Sequence, residues 1–79
     1  MRILASEVKG KTVMSDEGMM IGRLRNVVVE DKTGELTQVL VEPSDDVDPR
    51  LFKRDDRGYL VFPFDAVKSV RDVIVISTQ

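Results

Sequence analysis

The chain has 79 residues, a formal net charge of −2, and neither cysteine nor histidine. A domain of this length buries only about 60% of its extended-chain surface, so we expect one domain over residues 1–79 that gains stability by self-association. The missing residue types exclude disulfide frameworks, thiolate nucleophiles, zinc sites built on cysteine, and histidine general bases. The chain has 12 basic and 14 acidic residues, and no more than two basic residues are consecutive. This balance argues against a nucleic-acid binder.

The first elements in chain order form a predicted hairpin. Residues 11–15 and 19–21 are β-prone, and Asp16-Glu17-Gly18 between them supplies a polar turn. Gly18 stands where a type I turn followed by a bulge needs a positive φ. The sequence therefore predicts two antiparallel strands joined at residues 16–18.

Two longer strands follow, over residues 21–30 and 36–42. Gly22 near the start of the first predicts a bend or bulge, and Pro43 ends the second because it cannot donate to a strand ladder. Both strands contain three consecutive apolar residues, Val27-Val28-Val29 and Val39-Leu40-Val41, which leaves open which side chains point inward. Burial of both faces, one on the core and the other on a second subunit or a covering segment, would account for these runs.

Residues 43–58 are predicted to form a long charged loop, because apolar residues are rare in this segment. Within it, the pair Leu51-Phe52 either folds back on the domain or enters a partner, and both outcomes stay open. A strand over residues 59–64, one short helical turn near residues 64–67 and a terminal strand over residues 73–76 complete the pattern. The sequence therefore predicts an all-β fold of five or six short strands, a small barrel or roll.

The acidic residues and the glycines predict no catalytic, cofactor-binding or metal site. The segment 45–48 lacks the glycine and the terminal glutamate of an EF-hand loop, and the adjacent carboxylates at 16–17 and 55–56 fall in exposed turns. No helix start follows a turn glycine, so a phosphate loop is not expected either. We therefore expect a protein that is not an enzyme.

A partner-binding surface is the remaining candidate site. Arg23 and Arg25 are two residues apart on one face of a predicted strand, an arrangement that suits an acidic partner, a phosphate or plain solvent. Buried apolar anchors within a charged rim are typical of protein interfaces. We predict as anchors Leu51, Phe52 and Tyr59, and as rim residues Arg23, Arg25 and Arg54.

The order of these segments resembles the PRC-barrel family, named after the cytoplasmic domain of the photosynthetic reaction-centre H subunit. The resemblance covers nearly the whole chain and is weakest over residues 43–58. Its segments are Ala5-Ser6-Glu7-Val8, Gly10-Lys11-Thr12-Val13, Asp16-Glu17-Gly18, Ile21-Gly22-Arg23-Leu24, Val27-Val28-Val29, Thr33-Gly34-Glu35-Leu36, Val39-Leu40-Val41 and Val61-Phe62-Pro63-Phe64-Asp65-Ala66-Val67. The resemblance implies a six-stranded PRC-type barrel that serves as an adaptor or assembly module and has no catalytic residues.

Chains of this length are similar to archaeal members of the family that bind the SepF-type membrane anchor of the FtsZ ring in cell division. The resemblance therefore implies an adaptor at the division site. The lack of long uncharged apolar runs predicts a cytoplasmic chain that does not itself insert into the membrane, and the charge balance predicts no binding of nucleic acid. Because a single-domain adaptor needs at least two contact surfaces and exposed strand edges need cover, we predict a homodimer or higher oligomer, formed alone or with a paralogue. Two alternatives are a ribosome-maturation or RNA-associated assembly factor, as in fused bacterial members, and a small-ligand-binding barrel.

Overall fold

The computed structural model of the chain describes residues 8–78, where one six-stranded sheet forms the fold. The strands are β1 (Thr12–Ser15), β2 (Met20–Val29), β3 (Leu36–Pro43), β4 (Leu60–Pro63), β5 (Val67–Val70) and β6 (Val73–Ile76). Their order in the sheet is β4-β3-β2-β1-β6-β5. Neighbours are antiparallel except for the parallel pair of β1 and β6. The predicted all-β fold with six strands is confirmed.

The predicted barrel is open, because β4 and β5, at the two ends of the sheet, are not hydrogen-bonded to each other. The outer edge of β4 pairs instead with residues 53–54. The amide of Val61 donates to the carbonyl oxygen of Lys53 at 2.9 Å, and Arg54 forms a β-bridge with Leu60. The sheet still wraps around a single core cluster that takes buried side chains from β1, β2, β3, β4 and β6.

Buried and more exposed side chains alternate along β1, β3, β4 and β6, as expected of a sheet with one buried face, and the bulge in β2 interrupts the alternation there. On β3, Val39 and Val41 are buried while Leu40 points outward and is half-buried. On β2, Val27 packs against the core, whereas Val29 is 46% exposed. Val39 and Val41 are therefore the inward residues of the run on β3, whereas on β2 Val27 packs on the core without Val29.

The hairpin of β1 and β2 turns where the sequence predicts it. The φ angle of Gly18 is 89°, and the Ser15 amide donates to the carbonyl oxygen of Met19 at 2.8 Å. The buried Ser15 hydroxyl oxygen accepts from the amides of Glu17 and Met19 at 3.2 and 2.9 Å. The turn thus supplies partners for its own backbone amides, which keeps their burial from destabilising the fold.

The segment 43–58 is more ordered than a long loop. It contains a 3-10 turn (Pro49–Leu51), the buried Val47, and a hairpin that leads into β4. A second 3-10 turn (Phe64–Ala66) matches the helical turn predicted near residues 64–67. In the part of the chain that the structure describes, no helix has the length and apolarity needed to cross a bilayer.

Candidate functional site

A bulge in β2 places two consecutive polar side chains on the outer face of the sheet. Leu24 pairs with Val41 and Asn26 with Leu40, so Arg25 is the extra residue on β2. Leu24 is buried and Val27 packs on the core, whereas Arg25 and Asn26 between them are both exposed. Bulges re-aim side chains in this way. The bulge therefore presents Arg25 to solvent beside Arg23, which is exposed on the same strand.

A locked turn brings Tyr59 and Arg57 to the same face. The Asp55 carboxylate oxygen Oδ1 accepts from the amides of Arg57 and Tyr59, both at 2.9 Å, and the Asp55 amide donates to the carbonyl oxygen of Tyr59 at 2.9 Å. Such turns are stabilised when backbone amides two to four residues further along the chain donate hydrogen bonds to an aspartate carboxylate. The Arg25 Cζ atom lies 5.9 Å from the centroid of the Tyr59 ring, within cation–π range.

The segment that precedes β1 forms the opposite rim. The Gly10 amide donates to the carbonyl oxygen of Leu24 at 2.8 Å, and the Leu24 amide donates to that of Lys11 at 2.9 Å. The Arg23 Nη1 atom donates to the carbonyl oxygen of Gly10 at 3.2 Å. These bonds hold Lys9 next to β2, where it joins the arginines.

Together these elements form an open cleft of about 650 Å³, which we call the cationic cleft. It is lined by Lys9, Gly10, Arg23, Leu24, Arg25, Asn26, Leu40, Glu42, Asp55, Arg57 and Tyr59. Four cations and two carboxylates give it a net charge of +2, although the whole chain carries −2. A cluster of charge opposite to that of the whole chain attracts ligands of the other sign and steers their approach.

Within residues 8–78, none of the four cations of the cleft forms an ion pair with a carboxylate within 4.0 Å. Arg23 is the cross-strand neighbour of Glu42, yet its guanidinium turns to the Gly10 carbonyl. Among the described residues the ion pair within 4.0 Å is Arg50–Asp48, at 2.9 Å and outside the cleft. The bonds from Arg50, above all those of its side chain, lower the pKa of Asp48, and the Asp48 carboxylate raises the pKa of Arg50.

Three of the six predicted site residues meet in the cleft, and three do not. Arg23, Arg25 and Tyr59 line it. Leu51 lies on the 3-10 turn with 77% of its surface exposed. Phe52 is half-buried against Phe62, with ring centroids 5.7 Å apart in an edge-to-face arrangement. Arg54 is exposed on the outer strand of the hairpin, where it borders a separate shallow depression with Phe52.

Sequence reasoning missed the other charged residues of the cleft. Lys9, Glu42 and Arg57 are far apart in the chain. They meet through the bonds of the segment before β1 to β2, the pairing of β2 with β3 and the 54–60 hairpin. The Asp55-Asp56-Arg57-Gly58 run does carry a usable signal, since it has the residues of a tight hairpin turn. No sequence pattern predicts the bulge at Arg25, because arginine and asparagine are also ordinary outward residues of a regular strand.

A metal site and an apolar pocket are two other kinds of site that could bind a ligand. Within residues 8–78, no three acidic, histidine or cysteine side chains are grouped so that they could hold a metal ion. An apolar recess between Val27, Phe64 and Val70 has a volume of about 10 Å³. A space of that size holds one water molecule at most. The cationic cleft is therefore the larger site for contact with another molecule.

Comparison with known proteins gives two matches. Residues 1–78 match the PRC-barrel domain family. An uncharacterized protein of Methanocaldococcus jannaschii is 27% identical over 66 residues, which cover 84% of this chain and 71% of that protein. The Ala5-Ser6-Glu7 segment of the sequence resemblance lies outside the described residues, while the other segments fall on the strands and turns of the sheet. This chain belongs to the PRC-barrel domain family.

Proposed function

We propose that this protein is a non-enzymatic adaptor of archaeal cell division that binds the SepF-type membrane anchor of the FtsZ ring. It acts in the cytoplasm at the division site. Membership of the PRC-barrel family and similarity to an archaeal protein support the proposal. The cationic cleft supplies the partner surface.

The observation that carries this proposal is the convergence of Arg23, Arg25 and Tyr59 on one cleft outside the core. The arginines are held on a strand and the tyrosine on a turn fixed by the Asp55 carboxylate. Arginine and tyrosine are enriched at the energetic centres of protein interfaces. A contact surface built on a strand and a locked turn loses little conformational entropy on binding.

An adaptor also needs a second contact surface, and self-association provides one by symmetry. The outer face of β1 and β6 offers an uncharged row for this purpose. Val75 of β6 is the cross-strand partner of Met14 on β1, which in turn faces Met20 on β2. All three are half-buried. We place the dimer or higher oligomer, formed with itself or with a paralogue, on this face.

A binary binding measurement tests the adaptor function. The purified SepF-type anchor of the same organism is passed over the immobilised chain, and the affinity is compared for Leu51→Asp, Arg23→Glu and Tyr59→Ala variants. We expect micromolar binding that weakens about tenfold in the two cleft variants. Leu51→Asp tests the predicted anchor without disturbing the core, because its side chain is 77% exposed. An absence of binding to the folded wild-type chain would refute the anchor as partner.

The same measurement at increasing salt addresses the RNA-associated alternative. Binding through phosphate groups weakens steeply with salt, whereas a mixed polar and apolar protein contact weakens less. We therefore expect the affinity for the anchor to fall less than tenfold between 50 and 200 mM salt, below the range of about 10³ to 10⁵ for a many-phosphate contact. Stronger binding to a ribosomal RNA fragment with a steep salt slope would favour the assembly-factor function instead.

A further inference from the structure

We propose that the cationic cleft binds an extended acidic peptide segment that also carries apolar side chains. This inference rests on the adaptor function proposed above and adds the chemistry of the partner segment. The ligand class follows from the charges, the apolar floor and the single aromatic ring of the cleft.

The charges favour an acidic ligand. Lys9, Arg23, Arg25 and Arg57 face the cleft without an ion pair to any described carboxylate. Arg25 and Arg57 are exposed and keep hydrogen-bond donors available, and a guanidinium pairs with a carboxylate through two parallel bonds. A peptide with several Asp or Glu residues would therefore neutralise cations that have no ion pair with the carboxylates of residues 8–78.

The floor of the cleft favours a ligand that also has apolar side chains. Leu40 points outward from β3, is half-buried and lines the cleft together with the buried Leu24 of β2. Tyr59 adds an aromatic surface to the same lining. An apolar centre with charged residues around it is the usual construction of a peptide-binding surface.

The two carboxylates of the cleft argue for a peptide over a nucleic acid. Glu42 and Asp55 would repel a continuous phosphate backbone, whereas a peptide can place its amide groups beside them. Proteins that bind single-stranded nucleic acid stack successive bases on several aromatic rings. This cleft has one ring, Tyr59, and Arg25 lies over it.

The chain contains a built-in probe for the test, because Tyr59 is its one tyrosine and it has no tryptophan. The probe ligand is the peptide acetyl-Gly-Glu-Leu-Asp-Glu-Leu-Glu-Asp-Gly-amide, which is free of aromatic residues. The control ligand replaces each acidic residue by its amide. We expect the acidic peptide to change the tyrosine emission with a Kd of about 10 to 100 µM, in the range of small transient contacts. Amide shifts in nuclear magnetic resonance spectra should map to Arg25, Asn26 and Tyr59.

Two double variants with the same change in net charge distinguish binding at the cleft from a general effect of the protein's charge. Arg25→Glu/Arg57→Glu reverses two cleft cations, and Lys32→Glu/Lys68→Glu reverses two exposed cations elsewhere. We expect the first to weaken peptide binding at least about tenfold and the second by less than about twofold. Circular dichroism and melting temperature confirm that both variants remain folded.

The outcomes are distinguishable from those of the adaptor test. Equal losses in both variants, shifts away from the cleft, no binding of the acidic peptide, or tighter binding of a ten-nucleotide single-stranded RNA at the cleft would each overturn the inference. If the anchor binds the Arg25→Glu/Arg57→Glu variant as it binds the wild type, the inference fails while the adaptor function stands. If the acidic peptide binds at the cleft and the anchor does not bind at all, the adaptor function fails and the peptide site stands.

Discussion

Gly22 lies so close to the backbone carbonyl oxygen of Glu42 that a β-carbon at position 22 would overlap that oxygen. Gly22 is buried in β2, between Val13 of β1 and Pro43 of β3. The obstacle is backbone, so it cannot move aside as a flexible side chain would. The close approach explains why glycine stands inside a strand, where it otherwise weakens the structure.

We therefore expect Gly22→Ala to destabilise the fold by about 3 kcal/mol or more, since β2 and β3 must separate locally. Urea unfolding followed by circular dichroism measures the free energy of unfolding. Gly34→Ala is the matched control, because a β-carbon there meets no atom within 4 Å and the cost comes from its φ of 73° alone. That cost is about 1 kcal/mol. A Gly22→Ala variant no less stable than Gly34→Ala would contradict the close approach.

Leu51 and Phe52 give the second prediction, because they are adjacent in the chain but differ in packing. Phe52 packs against Phe62 and the core, and Leu51 is 77% exposed. We expect Phe52→Ala to lower the free energy of unfolding by about 2 kcal/mol, since the ring is half-buried, and Leu51→Ala by less than about 0.5 kcal/mol. Thermal and urea unfolding measure both. Equal effects would refute the edge-to-face packing.

This difference also decides how the predicted partner anchors can be tested. A loss of partner binding in a Phe52 variant could reflect a disturbed core, so its assay requires a folding control. Leu51→Asp changes only the surface, and a loss of binding there would report directly on contact with a partner. Both residues remain predicted anchors.

The sequence predicted β1, β2, β3, β4 and β6 because their signals are local, whereas it predicted no strand at the position of β5 (Val67–Val70). The turn glycines, Pro43 and the apolar runs place the strand boundaries within one or two residues of those observed, as with β3, which ends at Pro43. The inward set of Val27-Val28-Val29 could not be predicted, since it depends on the bulge at Arg25 and on the register with β3. A bulge of outward polar residues leaves no mark in the composition of the strand.

The cleft was only half predictable for a related reason. Arg23 and Arg25 share a strand, so the period of two suggested a common face. Arg57 and Lys9 reach the same place through the 54–60 hairpin and the segment before β1, which are non-local contacts. The order within residues 43–58 was underestimated as well, because the segment has few apolar residues and the burial of Val47 and Phe52 depends on the distant Phe62 and the core.

The ion pair of Asp48 and Arg50 predicts a dependence on pH. Arg50 donates to Asp48 through Nε at 3.0 Å, Nη2 at 2.9 Å and its amide at 3.0 Å, and these bonds lower the pKa of the Asp48 carboxyl. A lowered pKa in the folded state means that the stabilisation is present above the ordinary pKa of aspartate. It is lost as the pH falls through the lower, folded-state value.

We expect a carbon-detected magnetic resonance titration to place the pKa of Asp48 below that of a free aspartate side chain. Arg50→Gln removes the charged donor, so the pKa of Asp48 should rise towards the ordinary value. Lys32→Gln, at an exposed position in the turn between β2 and β3, is the control and should leave the pKa unchanged. A titration of Asp48 that does not respond to Arg50→Gln would show that the bidentate pair does not form in solution.

The outer row of Val75, Met14 and Met20 gives the last prediction, which concerns the oligomer. Adjacent strands bring these uncharged side chains together on the face opposite the core, where Val75 pairs with Met14 and Met14 with Met20. If a second copy covers this row, a charge placed in it must be desolvated, and the dimer is weakened by several kcal/mol. We expect light scattering at micromolar concentration to give at least twice 8.9 kDa for the wild type and 8.9 kDa for Val75→Lys. Thr33→Lys adds the same charge in an exposed turn and should leave the mass unchanged. A monomeric wild type, or a Val75→Lys variant with the mass of the dimer, would remove this face from the oligomer.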